Sequence, residues 1–221
     1  ALQSLIGSSL NLVDNLMVGS LGELELNAVG VAVQIFFIYW MLLYGFSGGA
    51  ATFISQYFGV KDFANIRKTT GFAVTVAISI GLVFFIVAEL FPRQILGIFT
   101  RFPEVIDAGV GYIRIGAFTF LMIAVTQPFT IALRATQQTK LPLYASGMAL
   151  AVNTFLNYVF IFGKFGAPAL GVNGAALATA ISRVLEMSFI LFVVFGRKNV
   201  IAGKMKEFFG YSKALASRII R

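Results

Sequence analysis

Long apolar runs, separated by short polar or glycine-containing segments, dominate the chain. Crossing a bilayer takes about 20 mostly apolar residues, and six runs approach or exceed that length if the first is taken to be truncated. They cover residues 1–19, 28–58, 66–91, 104–134, 141–163 and 171–196. Stretches such as VTVAISIGLVFFIV show no alternation of period two, so the runs are predicted to be helices and not strands of a barrel.

Composition narrows the class of protein further. The chain is 58% hydrophobic and only 12% charged, whereas soluble domains are about 25% charged. An all-α integral membrane protein is therefore predicted. Histidine and cysteine are both absent, which removes the commonest general base and the thiolate nucleophile. An enzyme is not expected, because without these residues it would need a pair of carboxylates.

Lysine and arginine are concentrated on one side of the predicted membrane. If the N-terminus lies in the cytoplasm, the inward loops carry Lys61, Arg67, Lys68, Arg134 and Lys140, and the basic tail of residues 197–221 also faces inward. The outward loops carry only Arg93, Arg101 and Lys164. The positive-inside rule therefore predicts a multi-pass protein with a cytoplasmic N-terminus.

The basic tail, residues 197–221, is predicted to lie on anionic lipid at the cytoplasmic surface. Its aromatic residues form one FFGY cluster and do not alternate with basic residues. No nucleic-acid partner is therefore predicted, and the net charge of +8 is attributed to membrane topology.

An acid interrupts the first apolar run, in NLVDNLMVGS. An ionisable residue inside a membrane span is a functional hypothesis by default. With the predicted orientation, Asp14 lies about six residues, or ~9 Å at ~1.5 Å per residue, from the outer end of its run. Asn153 and Asn157 share one face of the fifth run, and Thr179 and Tyr112 lie at similar depth. Five polar side chains from four runs thus converge on one level of the outer half.

These side chains suit the exchange of a proton for a small cation. Burial favours the protonated carboxyl and a nearby cation favours the ionised one, and hard cations prefer oxygen ligands. Two alternatives remain: Asp14 pairs locally with Asn11, and the amides only connect helices. Arg183 and Glu186, three residues apart, are interpreted as a structural ion pair nearer the inner side.

Four segments together resemble the multidrug and toxic compound extrusion (MATE) transporters. They are VDNLMVGSLGELELNAVG, GFSGGAATFISQYFGVKD, TQPFTIALRATQQTKLP and LGVNGAALATAISR, and the likeness covers essentially the whole chain. It implies a twelve-helix transporter of two six-helix lobes related as parallel repeats. Residues 1–196 would be the N-terminal transmembrane lobe, with the first helix truncated. Residues 197–221 would be the cytoplasmic connector to a second lobe that this chain lacks.

The resemblance also implies an activity and a site. The expected activity is antiport that exports amphipathic organic cations and drugs across the plasma membrane, driven by Na⁺ or H⁺. No cofactor other than Na⁺ is expected. The family's acid falls on Asp14, its amide pair on Asn153 and Asn157, and its hydroxyl on Thr179. In a sodium-coupled protein, Asp14, Asn153 and Asn157 would be the metal ligands.

Two departures from the family pattern bear on the charge of the site. Some members carry a second acid at the position of Asn157 and a tyrosine at the position of Leu10. A single carboxylate in the cluster suggests that this lobe handles one monovalent charge.

Other functions and further residues stay open from the sequence. Tyr112, Gln34 and Asn11 are candidates for a substrate cavity. Tyr39 and Trp40 could also contact substrate, but helix packing explains Gln34, Tyr39 and Trp40 equally well. A flippase for lipid-linked sugars would be expected to carry several cations for phosphate, but only Arg114 and Arg183 lie within the predicted spans. A structural or pore-forming protein is the remaining alternative, and it would show no ion-coupled efflux.

Overall fold

The structure, a computed structural model, describes residues 12–196, 199–211 and 219. The described part of the chain is helical and contains no strand. Its helices are α1 (residues 12–19), α2 (Glu23–Gly59), α3 (Phe63–Leu90), α4 (Pro92–Phe99), α5 (Pro103–Ala135), α6 (Lys140–Phe162), α7 (Val172–Gly196) and α8 (Met205–Phe209).

Five of the helices in this described part, α2, α3, α5, α6 and α7, are long and apolar enough to cross a membrane. They coincide with the second to sixth predicted runs, and α1 is the described portion of the first. The all-α membrane architecture is therefore confirmed. Below, the end of the bundle where α6 ends and α7 begins is called the outer end, after the predicted orientation.

The helices extend beyond the predicted runs where polar residues begin them. α2 begins at Glu23 and not at residue 28, and its first turn contains Glu23 and Glu25. Carboxylates are favourable beside the positive end of a helix dipole, although they lower hydropathy. α3 begins at Phe63 and not at residue 66, because the Asp62 side chain accepts a 3.1 Å hydrogen bond from the backbone N–H of Asn65. Such a cap stabilises the first turn.

A short helix, α4, occupies a segment that was predicted to be a loop. Pro92 is its first residue, a position where the missing N–H of proline is harmless. Leu96 is fully buried against the core that α2, α3 and α5 form. Pro92 is buried as well, so two side chains dock α4 on the bundle. The helix has 8 residues and is therefore too short to be detected as a membrane span.

Helix α5 lies at the centre of the bundle and packs against α2, α3 and α7, whereas α6 packs mainly against α7. Tyr39 is fully buried, and its hydroxyl donates a 2.6 Å hydrogen bond to the carbonyl of Phe120. Its ring also packs on Phe84, with centroids 5.2 Å apart. Of the two explanations for Tyr39, packing is the one that the structure supports.

A close crossing of α6 and α7 depends on Gly174. A Cβ at this position would lie 2.5 Å from the carbonyl oxygen of Phe160 and 2.6 Å from its carbonyl carbon. Small residues at such crossings let two backbones approach within a membrane. The crossing brings the polar faces of α6 and α7 together in the outer half.

The described part of the basic tail packs against the inner end of the bundle. Asn199 and Gln138 exchange side-chain hydrogen bonds, one of them 3.0 Å long. Glu207 forms a 3.1 Å ion pair with Arg67. Phe208 is buried against the inner part of α3, where the backbone passes over Gly71. The tail therefore touches protein, and its contact with lipid and its role as a connector stay predictions.

Gly71→Ala is expected to displace α8 from the bundle. The new Cβ would lie 2.6 Å from the carbonyl carbon of Phe208 and 2.7 Å from its Cα, and backbone atoms cannot rotate away. Trypsin should then cleave after Lys204 and Lys206 several times faster. Gly48→Ala is the matched control, because its Cβ would meet nothing within 4 Å. Equal cleavage rates in both variants would contradict the close contact.

Candidate functional site

A chain of hydrogen bonds joins α1, α6 and α7 at the level that the sequence predicted. The side-chain amide of Asn157 donates to the Asp14 carboxylate and, over 3.2 Å, to Oδ1 of Asn153. The amide of Asn153 donates to the Thr179 hydroxyl at 3.1 Å. The structure thus brings together four of the five polar residues singled out at this depth. Their roles in ion binding stay predictions.

Local helix geometry explains how these side chains meet. Asn153 and Asn157 are one turn apart on α6, which places them on the same face, and both are fully buried. Thr179 lies opposite them because α7 crosses α6 closely at Gly174. The end of α1 is held by Val18, which is fully buried in an apolar cluster with Ile161 of α6 and Val172 of α7.

Tyr112 borders the hydrogen-bonded chain from α5. It packs against the cluster that contains Val18, and its ring meets Phe36 edge to face with centroids 6.3 Å apart. Gln34 is exposed on α2, outside the hydrogen-bonded chain, and Asn11 lies outside the described residues. Their assignment to a substrate cavity stays a prediction.

Arg183 and Glu186 continue the polar contacts between α6 and α7 toward the inner end. Arg183 donates to Glu186 over 2.6 Å, and the Ser146 hydroxyl of α6 donates to Glu186 over 3.0 Å. The predicted ion pair is therefore present. The continuation of the polar side chains of α7 from Thr179 inward to Arg183, which lies one turn further along the helix, was missed. The spacing of Thr179, Arg183 and Glu186, which places them on one face of α7, was the available signal.

Oxygen atoms are the ligands that this cluster offers. Oδ1 of Asn157 is buried and has no hydrogen-bond partner among the described residues. It lies on the side chain that contacts Asp14, so a carboxylate and an amide oxygen could both face a small hard cation. Asn153 already uses its Oδ1 to hold Asn157. In this arrangement Asn153 and Thr179 hold the Asn157 side chain in place, and the assignment of Asp14, Asn153 and Asn157 as cation ligands stays a prediction.

The fold and this cluster define a helical membrane protein that carries a partly buried acid among amides and hydroxyls. The family model described as MatE matches residues 1–159. The chain belongs to this family.

Named relatives support the same assignment. "Probable multidrug resistance protein NorM" of Thermotoga maritima is 29% identical over 202 residues, covering 90% of this chain and 42% of the relative. "Probable multidrug resistance protein YoeA" of Bacillus subtilis is 29% identical over 199 residues, with the same coverage. A solved outward-facing structure of a multidrug resistance MATE family transporter has a TM-score of 0.88 at 21% identity, covering 99% of this chain and 48% of that one.

The chain thus spans less than half the length of the relatives that it matches. The solved transporter matches it as one lobe. The predicted resemblance to MATE transporters and the one-lobe architecture are confirmed.

Proposed function

We propose that the protein containing this chain is a multidrug efflux transporter of the plasma membrane, driven by Na⁺ or H⁺. In this proposal it exports amphipathic organic cations by alternating access. The observation that carries the proposal is the hydrogen-bonded chain Asp14–Asn157–Asn153–Thr179 across three helices. The names of the relatives support drugs as the class of substrate.

Asp14 is the group that would bind the driving ion. A carboxylate within the hydrocarbon region is costly while it is charged, so neutralising it with one monovalent cation stabilises a tighter packing around it. Asn157 touches the carboxylate directly and would sense the loss of charge. Because Asn157 is held by Asn153, and Asn153 by Thr179, the change would reach α7 through two further hydrogen bonds.

Coupling follows if ion binding favours one arrangement of these helices over the other. A ligand can shift a conformational equilibrium only by its difference in affinity for the two states. A site that closes around a bound Na⁺ or H⁺ meets that condition. The drug would bind in the state with Asp14 ionised and leave in the state with Asp14 loaded.

The test uses the protein expressed from its complete reading frame and reconstituted into liposomes. Movement of a fluorescent rhodamine, an amphipathic organic cation, is followed under an imposed sodium gradient and then under an imposed pH gradient. We expect one gradient to drive dye transport, and the ionophore that collapses that gradient to stop it. Dye movement that is equal with and without both gradients would overturn the proposal.

A further inference from the structure

The segment that follows α7 joins the inner ends of three helices. Residues 199–209 are called the strap below. Within the strap, the ring of Phe208 lies 6.1 Å from that of Phe129 on α5 and 6.0 Å from that of Phe195 on α7, and the last two rings are 5.8 Å apart. Aromatic rings attract one another at such separations. Phe208 therefore completes a triangle of rings and contacts α5 and α7 at once.

The backbone of Phe208 also contacts the third helix, α3. A Cβ on Gly71 of α3 would lie 2.7 Å from the Cα of Phe208, so the two backbones are as close as glycine permits. At the other end of the strap, Ile201 is fully buried in an apolar cluster with Ile66 of α3 and Val194 of α7. Each end of the strap thus has one buried apolar side chain.

Polar contacts fix the strap in register on the bundle. Arg67 of α3 donates one hydrogen bond to the carboxylate of Glu207 over 3.1 Å and another to the carbonyl of Val200 over 3.4 Å. One arginine therefore holds both ends of the strap. Asn199 is bonded to Gln138, in the turn between α5 and α6.

These contacts decide how easily the strap can leave the bundle. Segments that open readily have few buried apolar contacts, whereas the strap buries Ile201 and Phe208. Undocking would expose both side chains and leave a cavity between α5 and α7 where the ring of Phe208 lay. Cavities of this kind are costly in packed interiors.

We propose that the strap is a permanent clamp, which stays docked during transport and holds the inner ends of α3, α5 and α7 at fixed distances. These three ends then move as one rigid body, a common form of conformational change in proteins. The passage for the drug does not open between them. This role goes beyond the proposed function, since it holds whichever ion or drug the protein carries. The competing arrangement is a releasable gate, in which the strap leaves the bundle at one stage of the cycle.

Accessibility to a thiol reagent distinguishes the clamp from the gate. The chain contains no cysteine, so single cysteines can be placed in the protein expressed from its complete reading frame, with any cysteine outside this chain replaced by serine. Phe208→Cys and Phe209→Cys are matched variants, because these neighbours are 4% and 53% exposed. Each is treated with a maleimide in liposomes, with and without sodium, at low pH, and with a rhodamine dye.

A clamp predicts that Phe208→Cys reacts at least about tenfold more slowly than Phe209→Cys under every condition, because its thiol is buried. Similar rates for the two variants under any one condition would overturn the proposal. The measurement needs no transport. Its result is therefore independent of whether an ion gradient drives the dye.

A second experiment leaves Ile201 and Phe208 in place. Arg67→Cys and Glu207→Cys are combined, because these two side chains meet in a 3.1 Å ion pair between α3 and the strap. A short bis-methanethiosulfonate reagent links the two thiols, and dithiothreitol releases the link. The matched control is Arg67→Cys alone, treated with the same reagent.

The linked protein should move dye at a rate within about twofold of the same protein after release, because a rigid body needs no movement at this contact. Transport that stops on linking and returns on release, with the control unaffected, would show a gate and overturn the clamp. If neither form shows driven transport while wild type does, the thiol-accessibility result decides between clamp and gate. If wild type itself shows no driven transport, the proposed function fails and the clamp is judged by accessibility alone.

Discussion

Asp14→Asn is expected to abolish ion-driven efflux, down to the level of liposomes without protein, while the bundle stays folded. The asparagine has the shape of the aspartate, and its side-chain oxygen can still accept the hydrogen bond from Asn157. What is lost is the negative charge that attracts a cation. A neutral side chain at this depth costs the membrane protein less than a charged one, so stability should be unchanged or higher.

The matched control for this change is Asp107→Asn. Asp107 is an exposed carboxylate at the outer end of α5, where it pairs with Arg93. Surface pairs of this kind contribute little, so this variant should pump like wild type. Dye transport and the melting temperature in detergent are measured for both. Normal driven efflux by Asp14→Asn would show that Asp14 is structural, and would exclude it as the coupling acid.

Gly174→Ala is expected to destabilise the bundle and to weaken cation binding together. The added methyl group would lie 2.5 Å from the carbonyl oxygen of Phe160 and 2.9 Å from the backbone nitrogen of Ile161. Backbone atoms of a helix cannot rotate away, so α7 must move outward from α6. Overpacking of this kind typically costs about 1–3 kcal/mol. The 3.1 Å hydrogen bond from Asn153 to Thr179 joins the same two helices and should lengthen or break.

Gly147→Ala is the control that separates the steric effect of the added methyl group from the effect of alanine on helix stability. Gly147 lies within α6, and a Cβ there would meet nothing within 4 Å. Alanine is the better helix former by about 1 kcal/mol in water, so this variant should melt at the same temperature or higher. Both variants are compared by thermal unfolding in detergent and by cation binding. If Gly174→Ala has the same melting temperature and cation affinity as Gly147→Ala, the α6–α7 crossing can accommodate the methyl group and the prediction is wrong.

The fold was largely predictable because a bilayer imposes a length and a composition on its helices. The second to sixth runs were found from hydropathy alone, since few other structures satisfy backbone hydrogen bonds in hydrocarbon. The errors occurred where other forces determine a boundary: carboxylates at the start of α2, the Asp62 cap of α3, and the buried Pro92 and Leu96 that dock α4. Each depends on a local contact that average hydropathy does not record.

The candidate site was predictable in depth but not in its contacts. Counting residues from the outer end placed Asp14, Asn153, Asn157 and Thr179 at one level, because a helix rises by a constant amount per residue. The hydrogen bonds among them depend on how α6 and α7 are rotated and on how closely they cross at Gly174.

The spacing of the charges also bears on how the chain enters the membrane during synthesis. Arg183 and Glu186 are three residues apart on one helix, so they can neutralise each other as soon as α7 coils, before any other helix is in place. Asp14 finds its partner Asn157 only 143 residues later. Asp14 therefore lacks this hydrogen bond until α6 has been synthesised. The two acids therefore gain their partners at different stages of synthesis. Glu186 can pair with Arg183 within its own helix, whereas Asp14 contacts Asn157 only after the helices have assembled.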